Sequence, residues 1–505
     1  MRKLIYILLV GILISMSSCR KDFETVPSSG NLQFSKDTIY LDTVFNNISS
    51  STYTLKVYNR TNKDIKIPSI KLKKSDSKYR IMVDGMTGVD GKTFNNVELL
   101  AKDSLFIFVE VTVAESNPSS TEFLYTDEIE FDSGNNLQKV NLVTLIQDAV
   151  FLYPKKNKDG IKESLLLGLT ENNEEVRVNG FQLNKNELHF TKKKPYVIYG
   201  YAGVPKGKTL VIDAGARVHF HAESGIIVQP EAGLNINGAV STDSKNPQEN
   251  EVIFQGDRLE PEYEDIPGQW GTIWLRDGSN SNINHLTLKN AVYGLFLENS
   301  ALKITNSQIY NASNYGIIAR TSTIVGENVV INSAGQISLA CSLGGDYKFT
   351  HSTFNNNWNS SKQFAVRLSN YEENADQSIT KSNLTQATFR NCIIYGSNNV
   401  ELFLKKDESV AFNTSFENCL IKFNDFGTGL ANNPLYDFIR SETFGNIKNK
   451  DPKFYDVNRN QLNIDDTSAA FQKGNSTYRL PVDILGITRT LTPDIGAYQS
   501  AAFPK

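Results

Sequence analysis

The sequence predicts an all-β protein, with a β-sandwich near the N-terminus followed by a β-solenoid that occupies the rest of the chain. Before residue 149, short runs of alternating apolar and polar residues are separated by Asn, Ser, Gly and Asp, which is typical of antiparallel strands joined by turns. Later, a pair of large apolar residues five positions apart occurs six times at intervals of 21 to 40 residues, and this period indicates stacked repeats. The six pairs are Ile283/Leu288, Ile304/Ile309, Val325/Val330, Phe349/Phe354, Phe389/Ile394 and Phe416/Ile421.

Composition indicates more than one folded unit and argues against nucleic acid as a partner. The chain has 505 residues, which exceeds the usual size of one compact domain, and its hydrophobic fraction of 40% is ample for packed cores. With 52 Lys and Arg against 55 Asp and Glu, the net charge is -3. We therefore expect no basic field that would attract a phosphate backbone.

The N-terminus predicts a signal peptide over residues 1–18. Arg2 and Lys3 precede the apolar run Leu4 to Ile14, which is shorter than the roughly 20 residues that a membrane-spanning helix needs. Small residues before Cys19 resemble a bacterial lipobox, with Met16 where that motif usually has Leu. The resemblance implies that Cys19 is lipidated and that the lipid is the membrane contact. The alternative is an ordinary signal peptide with an incidental cysteine.

Residues 19–30 are predicted to be a lipidated tether. The segment RKDFE after Cys19 resembles the signal that sends Bacteroidetes-type lipoproteins to the outer face of the outer membrane. This resemblance implies a lipid-anchored outer-membrane protein at the cell surface. A solvated linker without a sorting role is the alternative, and it leaves the periplasmic face open.

Residues 31–149 are predicted to form an immunoglobulin-like β-sandwich. Six or seven strands, among them TIYLDTVF, TYTLKVYN and SLFIFVEVTV, are spaced as in such sandwiches. The segment resembles the domain that precedes repeats in bacterial surface lipoproteins. Residues 150–180 are predicted to be a joint and an N-terminal cap, and residues 181–505 to be the solenoid with a C-terminal cap.

Within the solenoid, polar residues recur two positions after each apolar anchor, where the chain must turn. Asn is frequent there, and it tolerates left-handed backbone geometry while its amide can bond to the next coil. The units ITNSQIYNASNYGI, FRNCIIYG and FENCLI resemble the right-handed parallel β-helix of the pectate-lyase-like superfamily. The strings DPKFYDV, DTSAAFQKG and PDIGAYQ resemble the closing segment of secreted bacterial β-helix proteins. We expect that segment to be a structural cap. The polar residues two positions after the first apolar residue of each pair are His285, Asn306, Glu327, His351, Asn391 and Asn418.

The catalytic motifs of β-helix enzymes are missing from the sequence, so no catalytic residue, metal site or cofactor is predicted. The Asp-Asp pair at Asp465 and Asp466 lies in the predicted cap, and surface turns are the preferred interpretation. His219 and His221 on one strand face would supply two metal ligands, which do not complete a site. Cys392 and Cys419 share a repeat position that would bring them within disulfide range, and a buried stack of free thiols is the preferred interpretation over a disulfide.

The candidate ligand-binding segment is Gly256 to Leu275, which interrupts the repeats with acidic and aromatic residues. Aromatic faces beside carboxylates suit sugars. A loop folded over the solenoid, with its Trp side chains as anchors, is the preferred structural alternative. Arg320 and Arg367 are further candidates for lining a groove that holds an anionic glycan. The candidate ligand-binding residues are Arg258, Glu262, Asp265, Trp270 and Trp274.

These observations lead to one functional hypothesis and one alternative. The hypothesis is a non-catalytic envelope lipoprotein that presents its β-helix as a binding or adhesive scaffold, with a polysaccharide or a surface protein as partner. The alternative is a divergent polysaccharide lyase or glycoside hydrolase. A groove in which two acids and a base converge would favour the alternative.

Overall fold

The computed structural model describes residues 24–45, 49–112, 122–170, 172–374 and 376–503. The predicted signal peptide and Cys19 lie outside these residues. The chain divides into two compact units between Asp148 and Ala149. Within the described ranges, no helix combines the length and the apolar character needed to cross a membrane.

The first unit is built from two β-sheets whose inward side chains form one hydrophobic cluster. Residues alternate between the cluster and solvent, as in Ser104–Val111, where Leu105, Ile107, Val109 and Val111 are buried. Most strand pairs are antiparallel, but Thr38–Phe45 pairs in parallel with Gln138–Gln147, and Val26–Pro27 pairs in parallel with Ile65–Leu72. Six-stranded sheet A contains Val26–Pro27, Thr38–Phe45, Ile65–Leu72, Thr93–Leu99, Glu122–Phe131 and Gln138–Gln147, and four-stranded sheet B contains Gln33–Phe34, Tyr53–Tyr58, Tyr79–Val83 and Ser104–Val111.

The second unit consists of three long sheets, C, D and E, and successive strands visit them in turn. Every strand pair in these sheets is parallel except the one between Ser164–Leu169 and Glu175–Gln182 at the start of sheet D. One strand in each sheet makes up one coil, an arrangement compatible with a β-helix. A separate antiparallel hairpin pairs Tyr371–Glu373 with Ile379–Lys381.

Sheet C contains Val150–Leu152, Tyr196–Ile198, Arg217–Phe220, Val252–Gly256, Leu286–Lys289, Gln308–Ala312, Val330–Ala334, Thr353–Asn356, Ile393–Gly396, Leu420–Ile421 and Ile447–Lys448. Sheet D contains Ser164–Leu169, Glu175–Gln182, Tyr201–Val204, Gly225–Val228, Ile273–Leu275, Tyr293–Glu298, Tyr315–Arg320, Ile337–Ser342, Phe364–Ser369 and Leu402–Lys405. Sheet E contains His189–Phe190, Thr209–Asp213, Gly233–Asn237, Asn280–Asn284, Ala301–Thr305, Thr323–Glu327, Gly345–Thr350, Leu384–Arg390 and Phe412–Glu417. Across both units, the described residues also contain a short α-helix, Asp437–Arg440. The 3₁₀ turns are Gly134–Asn136, Lys185–Glu187, Pro261–Tyr263, Pro434–Tyr436, Glu442–Phe444, Val457–Arg459 and Ser476–Tyr478.

Five of the six predicted apolar pairs point into the core in matching register, and the third pair is displaced by one residue. Ile304 lies opposite Gly326, which in turn lies opposite Phe349, so the inward position is Gly326 and not Val325. A Cβ atom on Gly326 would lie 2.4 Å from Cδ1 of Phe349. Glycine therefore makes room for the Phe349 ring. The corresponding partner of Ile309 is Ile331, because Val330 faces away from the central core.

The turn between sheets E and C has left-handed backbone geometry in coil after coil, as the Asn pattern predicts. The position predicted at Glu327 is held by Asn328, in keeping with the same one-residue displacement. The Asn328 amide donates to Oδ1 of Asn306 over 2.9 Å, and the Asn391 amide lies 3.0 Å from Nε2 of His351. Side chains thus bond from one coil to the next. The φ values are 47° at His285, 48° at Asn306, 51° at Asn328, 48° at His351, 52° at Asn391 and 52° at Asn418.

Residues 450–503, which we call the C-terminal segment, lie along the outer face of sheet C and do not close the end of the coils. Apolar residues of that face, including Val330 and Ile393, pack against Leu462, Ile484 and Ile495 of the segment. The last coil is covered instead by residues 434–440, where the rings of Tyr436 and Phe438 stack on Phe423 and Phe416. Sheet C carries apolar side chains on both faces, and the C-terminal segment buries those on the outer face.

Candidate functional site

The structure divides the predicted binding segment, Gly256 to Leu275, into an exposed loop and a core strand. Trp270 is fully buried, its ring stacks on Phe220 with centroids 4.3 Å apart, and its Nε1 donates to the Lys289 carbonyl. The Trp270 ring therefore packs in the core and offers no exposed face to a ligand. It is an anchor for the segment, which is the structural alternative that the sequence also allows.

The loop places Arg258, Glu262 and Asp265 away from Trp274. The Arg258 guanidinium is bound to both carboxylate oxygens of Glu260 and covers the Tyr263 ring at 3.9 Å. The Glu260 carboxylate raises the pKa of Arg258. Glu262 and Asp265 are exposed, and neither lines the 300 Å³ pocket beside Arg258. The five predicted residues do not converge on one site.

Trp274 lies on the outer face of sheet D, where aromatic side chains from successive coils are aligned. In the strand register Trp274 lies opposite Phe296, and their rings stack with centroids 5.2 Å apart. Beside them, Tyr293 and Tyr315 lie opposite each other and stack with centroids 5.8 Å apart. All four side chains are partly exposed. Because the residues on either side of Trp274 and of Phe296 fill the core, strand alternation fixes these two rings on the outer face.

These rings form the floor of a groove with a volume of about 880 Å³, which we call the aromatic groove. A cavity of this size accommodates several sugar rings or a drug-sized ligand. Residues from the hairpin that begins at Tyr371 and from the segment that precedes Ile273 complete its lining. The lining residues are Tyr201, Ala222, Glu223, Gly268, Gln269, Trp270, Gly271, Thr272, Trp274, Val292, Tyr293, Phe296, Tyr315, Ile318, Arg320, Glu372, Glu373 and Asn374.

The charged side chains of the aromatic groove are mainly acidic. Nη2 of Arg320 lies 2.6 Å from Oε2 of Glu372, and its Nη1 lies 3.5 Å from Oε1 of Glu298. Glu373 pairs with Lys405 over 2.8 Å. Glu223 is exposed and has no ion-pair partner among the residues that the structure describes. Arg320 therefore stands between two carboxylates rather than free to bind an anion.

Burial affects the phenol of Tyr201 at one end of the aromatic groove. Desolvation raises the pKa of Tyr201, and the nearby Glu223 carboxylate raises it further. Tyr201 therefore stays a neutral hydroxyl at physiological pH, able to donate or accept a hydrogen bond. The groove thus combines apolar ring faces with carboxylate acceptors and a phenol.

The predicted second arginine, Arg367, is also engaged. Its Nη2 donates to Oγ of Ser342 over 3.2 Å, and its guanidinium lies 6.0 Å from the centre of the Tyr315 ring. It reaches the edge of the aromatic floor without lining the groove. Arg320 is thus held by carboxylates, whereas Arg367 has no carboxylate partner among the residues that the structure describes.

The histidines and cysteines singled out in the sequence do not form a second site. His219 is buried, and burial lowers its pKa to about 4, whereas His221 is exposed and pairs with Asp257 at 2.8 Å. Among the described residues, no group of three or more His, Cys, Asp or Glu side chains is arranged to hold a metal ion. Cys392 and Cys419 are buried free thiols, as expected, and burial raises the pKa of Cys419.

Most of the aromatic groove was not found from the sequence. Tyr201, Tyr293 and Tyr315 belong to three different coils, with Phe296 on the same strand as Tyr293, and only the register of sheet D brings them together. One signal was present: the strings VYGLFLE and NYGIIAR carry Tyr-Gly at the same point of two repeats. Aligning the repeats on these Tyr-Gly pairs would have placed the tyrosines side by side.

Comparison with known proteins does not assign a family. No family model matches the chain, and no curated protein matches it. Among solved structures, the PapD-like domain 7 of human CEP192 is 13% identical, covering 25% of this chain and 89% of its own at a TM-score of 0.16. The E. coli chaperone DraB is 14% identical, covering 25% of this chain and 58% of its own at 0.17. XylC in complex with xylose is 9% identical, covering 92% of this chain and 87% of its own at 0.29. Scores this low carry no functional inference.

The class that the fold and the site define is an all-β protein with three long parallel sheets and an aromatic groove on the outer face of one of them.

Proposed function

We propose that this chain is a lipid-anchored protein of the bacterial outer membrane, exposed at the cell surface, that binds carbohydrate. Its second unit is a right-handed parallel β-helix, and its first unit is an immunoglobulin-like spacer. Lipid on Cys19 provides the membrane contact. A polysaccharide or another glycosylated surface component is the partner.

The observation that carries the proposal is the aromatic groove on sheet D. Sugar rings present C–H groups that stack on aromatic faces, while their hydroxyls need hydrogen-bond partners at the edges. Trp274, Phe296, Tyr293 and Tyr315 supply adjacent, partly exposed aromatic surface, and the glutamates at the rim supply acceptors. Such a row of rings suits a chain of sugars better than a single compact ligand.

A glycan array tests the proposal with the purified full-length protein in detergent. We expect binding to at least one class of oligosaccharide and a loss of at least about tenfold in affinity for Trp274→Ala, since removing a stacking ring costs more than 1 kcal/mol. Phe426→Ala is the matched control, because this aromatic side chain is 91% exposed and lies outside the groove. Equal binding by both variants, or no binding by the parent protein, would contradict the proposal.

A second candidate function is cleavage of the bound glycan, and the cluster around Arg320 favours it. Here a guanidinium lies between two carboxylates, Glu298 and Glu372, at the rim of the groove. Glycosidic bonds are cleaved by two carboxyl groups that act together. The ion pairs between Arg320 and these two carboxylates also stabilise the groove wall. Incubation with a panel of polysaccharides should be followed by measurement of reducing ends and unsaturated products. Turnover abolished by Glu372→Gln would favour the enzyme, and intact substrates would favour the binding protein.

A further inference from the structure

We propose that the aromatic groove holds a short oligosaccharide of about three sugar rings, and that longer linear chains gain no further affinity from it. This inference rests on the proposed carbohydrate-binding function and names the length of ligand that the same site takes. The observations that carry it are the side chains that close the groove at both ends of its aromatic floor and along both sides.

The floor of the aromatic groove is limited to three coils. In the register of sheet D, the outward residues of successive coils are Ile227, Trp274, Phe296, Ile318 and Ala340. The middle three line the groove and are partly exposed, whereas Ile227 is 1% exposed and Ala340 is 0% exposed. At a strand spacing of about 4.8 Å, three coils give a floor of roughly 14 Å. Such a floor has room for about three sugar rings.

Arg276 closes the end of the groove nearer the start of sheet D. Its guanidinium lies 5.1 Å from the centre of the Trp274 ring. Its Nη1 donates to Oε1 of Gln229 over 3.3 Å, and its Nη2 donates to the carbonyl of Leu167. Leu167 belongs to the first strand of sheet D, Ser164–Leu169. Because Arg276 is fixed between that strand and the Trp274 ring, a glycan cannot continue beyond Trp274.

Arg367 closes the opposite end of the groove. It lies opposite Ala340 in the next coil, yet its guanidinium is 6.0 Å from the centre of the Tyr315 ring, two coils back. Its Nη2 donates to Oγ of Ser342 in the coil between them. The side chain therefore reaches back across the coil that contains Ala340. Ile337, which lies opposite Tyr315 in that coil, is only 3% exposed, so the row of tyrosines ends there as well.

The two sides of the groove are also bounded. On one side stands the antiparallel hairpin, which is held by the ion pairs of Glu372 with Arg320 at 2.6 Å and of Glu373 with Lys405 at 2.8 Å. On the other side, residues 268–272 line the groove. A longer glycan therefore leaves the groove toward solvent. Its additional rings contact no part of the aromatic floor.

Oligosaccharides of increasing length test the inference by isothermal titration calorimetry with the full-length protein in detergent. The probes are oligomers of β-1,4-mannose, β-1,4-glucose and α-1,4-galacturonate with two, three, four and six rings. In at least one series we expect the affinity to rise at least about tenfold from the dimer to the tetramer, as rings fill the floor. From the tetramer to the hexamer we expect a change of less than about threefold.

Removal of the closing arginine should lengthen the groove. Arg367→Ala opens the floor toward Phe403, which lies opposite residue 367 in the following coil. We expect the hexamer to bind this variant at least about fivefold more tightly than the tetramer does. Arg60→Ala is the matched control, because it removes a guanidinium that lies 4.2 Å from the centre of the Tyr58 ring in the first unit. This control should keep the hexamer-to-tetramer ratio of the parent protein.

The outcomes separate the two proposals. A gain of more than about threefold from the tetramer to the hexamer in the parent protein would overturn the length limit and leave the carbohydrate-binding function standing. An unchanged ratio in Arg367→Ala would overturn the closing role of that arginine. Absence of binding to all three series would overturn the inference, and with a blank glycan array the proposed function would fall as well.

Discussion

At the residue scale, one turn position is occupied by His351 in one coil and by Asn in the two later coils. The two side chains differ in how much stability they lose in acid. The backbone φ of His351, 48°, matches the 52° of Asn391 and of Asn418 at the same point of later coils. The Asn391 amide lies 3.0 Å from Nε2 of His351, which must be unprotonated to accept the hydrogen bond. Burial, with a contribution from nearby Arg489, lowers the pKa of His351 to about 3.

We expect His351→Asn to make the protein less sensitive to acid. Below the ordinary histidine pKa near 6.5, this histidine binds a proton in the unfolded chain but not in the folded protein. The free energy of unfolding therefore falls as the pH falls from about 6.5 to about 3. Asn fits the left-handed backbone and has no charge to gain. Thermal unfolding midpoints between pH 7 and pH 4 measure the effect.

The control for this prediction is His189→Asn, at an exposed side chain paired with Asp213. It should keep the acid dependence of the parent protein. An unchanged pH dependence in His351→Asn would show that the protonation of this residue is not linked to folding.

At the element scale, strand alternation makes neighbouring residues differ sharply in their tolerance of charge. Ile304 is fully buried between coils, whereas Lys303 on the same strand is exposed. We expect Ile304→Asp to reduce the free energy of unfolding by about 4 kcal/mol, and Lys303→Asp to change it by about 0.5 kcal/mol or less. Chemical denaturation of both variants is the measurement. Similar losses would mean that the inward and outward faces of sheet E are assigned incorrectly.

The C-terminal segment is attached to the turn between sheets E and C through Arg489, which is 1% exposed. Its Nη2 donates to Oδ1 of Asn328 and to the carbonyls of Gly496 and Ala497 over 2.8 to 3.0 Å. The guanidinium also stabilises the nearby buried carboxylates of Asp483 and Asp494.

We expect Arg489→Met to loosen the C-terminal segment before the coils unfold. The change removes the donor of these three hydrogen bonds and the positive charge beside the two buried carboxylates, at a cost of about 3 to 5 kcal/mol. Limited proteolysis followed by mass spectrometry should detect early cleavage within residues 450–503. Arg459→Met is the control in the same segment, since that side chain is 80% exposed. Equal cleavage of the two variants would contradict the anchoring role of Arg489.

The sequence predicted the coils well where a large side chain faces the core, and poorly where the fold itself brings residues together. The core positions of Ile304, Ile309 and Phe349 can be predicted, because burial requires apolar residues at a regular spacing. The inward position of Gly326 cannot be predicted from apolar spacing, since glycine is there to leave space for the Phe349 ring of the next coil. The aromatic groove has no local pattern either, because its residues converge only through the register of sheet D.

At the scale of the whole molecule, anchoring is predicted to depend on Cys19 alone, a residue outside the part of the chain that the structure describes. We expect Cys19→Ala to release the protein from membranes or to block its processing, while leaving its thermal unfolding unchanged. Fractionation of cells that express each form is the measurement. Cys419→Ala, at a buried free thiol, is the control and should remain with the membrane fraction. Undiminished membrane association of Cys19→Ala would contradict the lipid anchor.

Glycans are proposed to bind on the outer face of sheet D, and Trp274 offers a direct reporter of this binding. The chain has 3 tryptophans, and Trp270 is fully buried while Trp274 lines the groove with a partly exposed ring. Titration of the full-length protein with a neutral hexasaccharide should change the tryptophan emission in a saturable way. In Trp274→Phe, which keeps a stacking ring, binding measured by calorimetry should persist while the emission change disappears. An emission change and an affinity that both survive unchanged in Trp274→Ala would place the glycan elsewhere and contradict binding on sheet D.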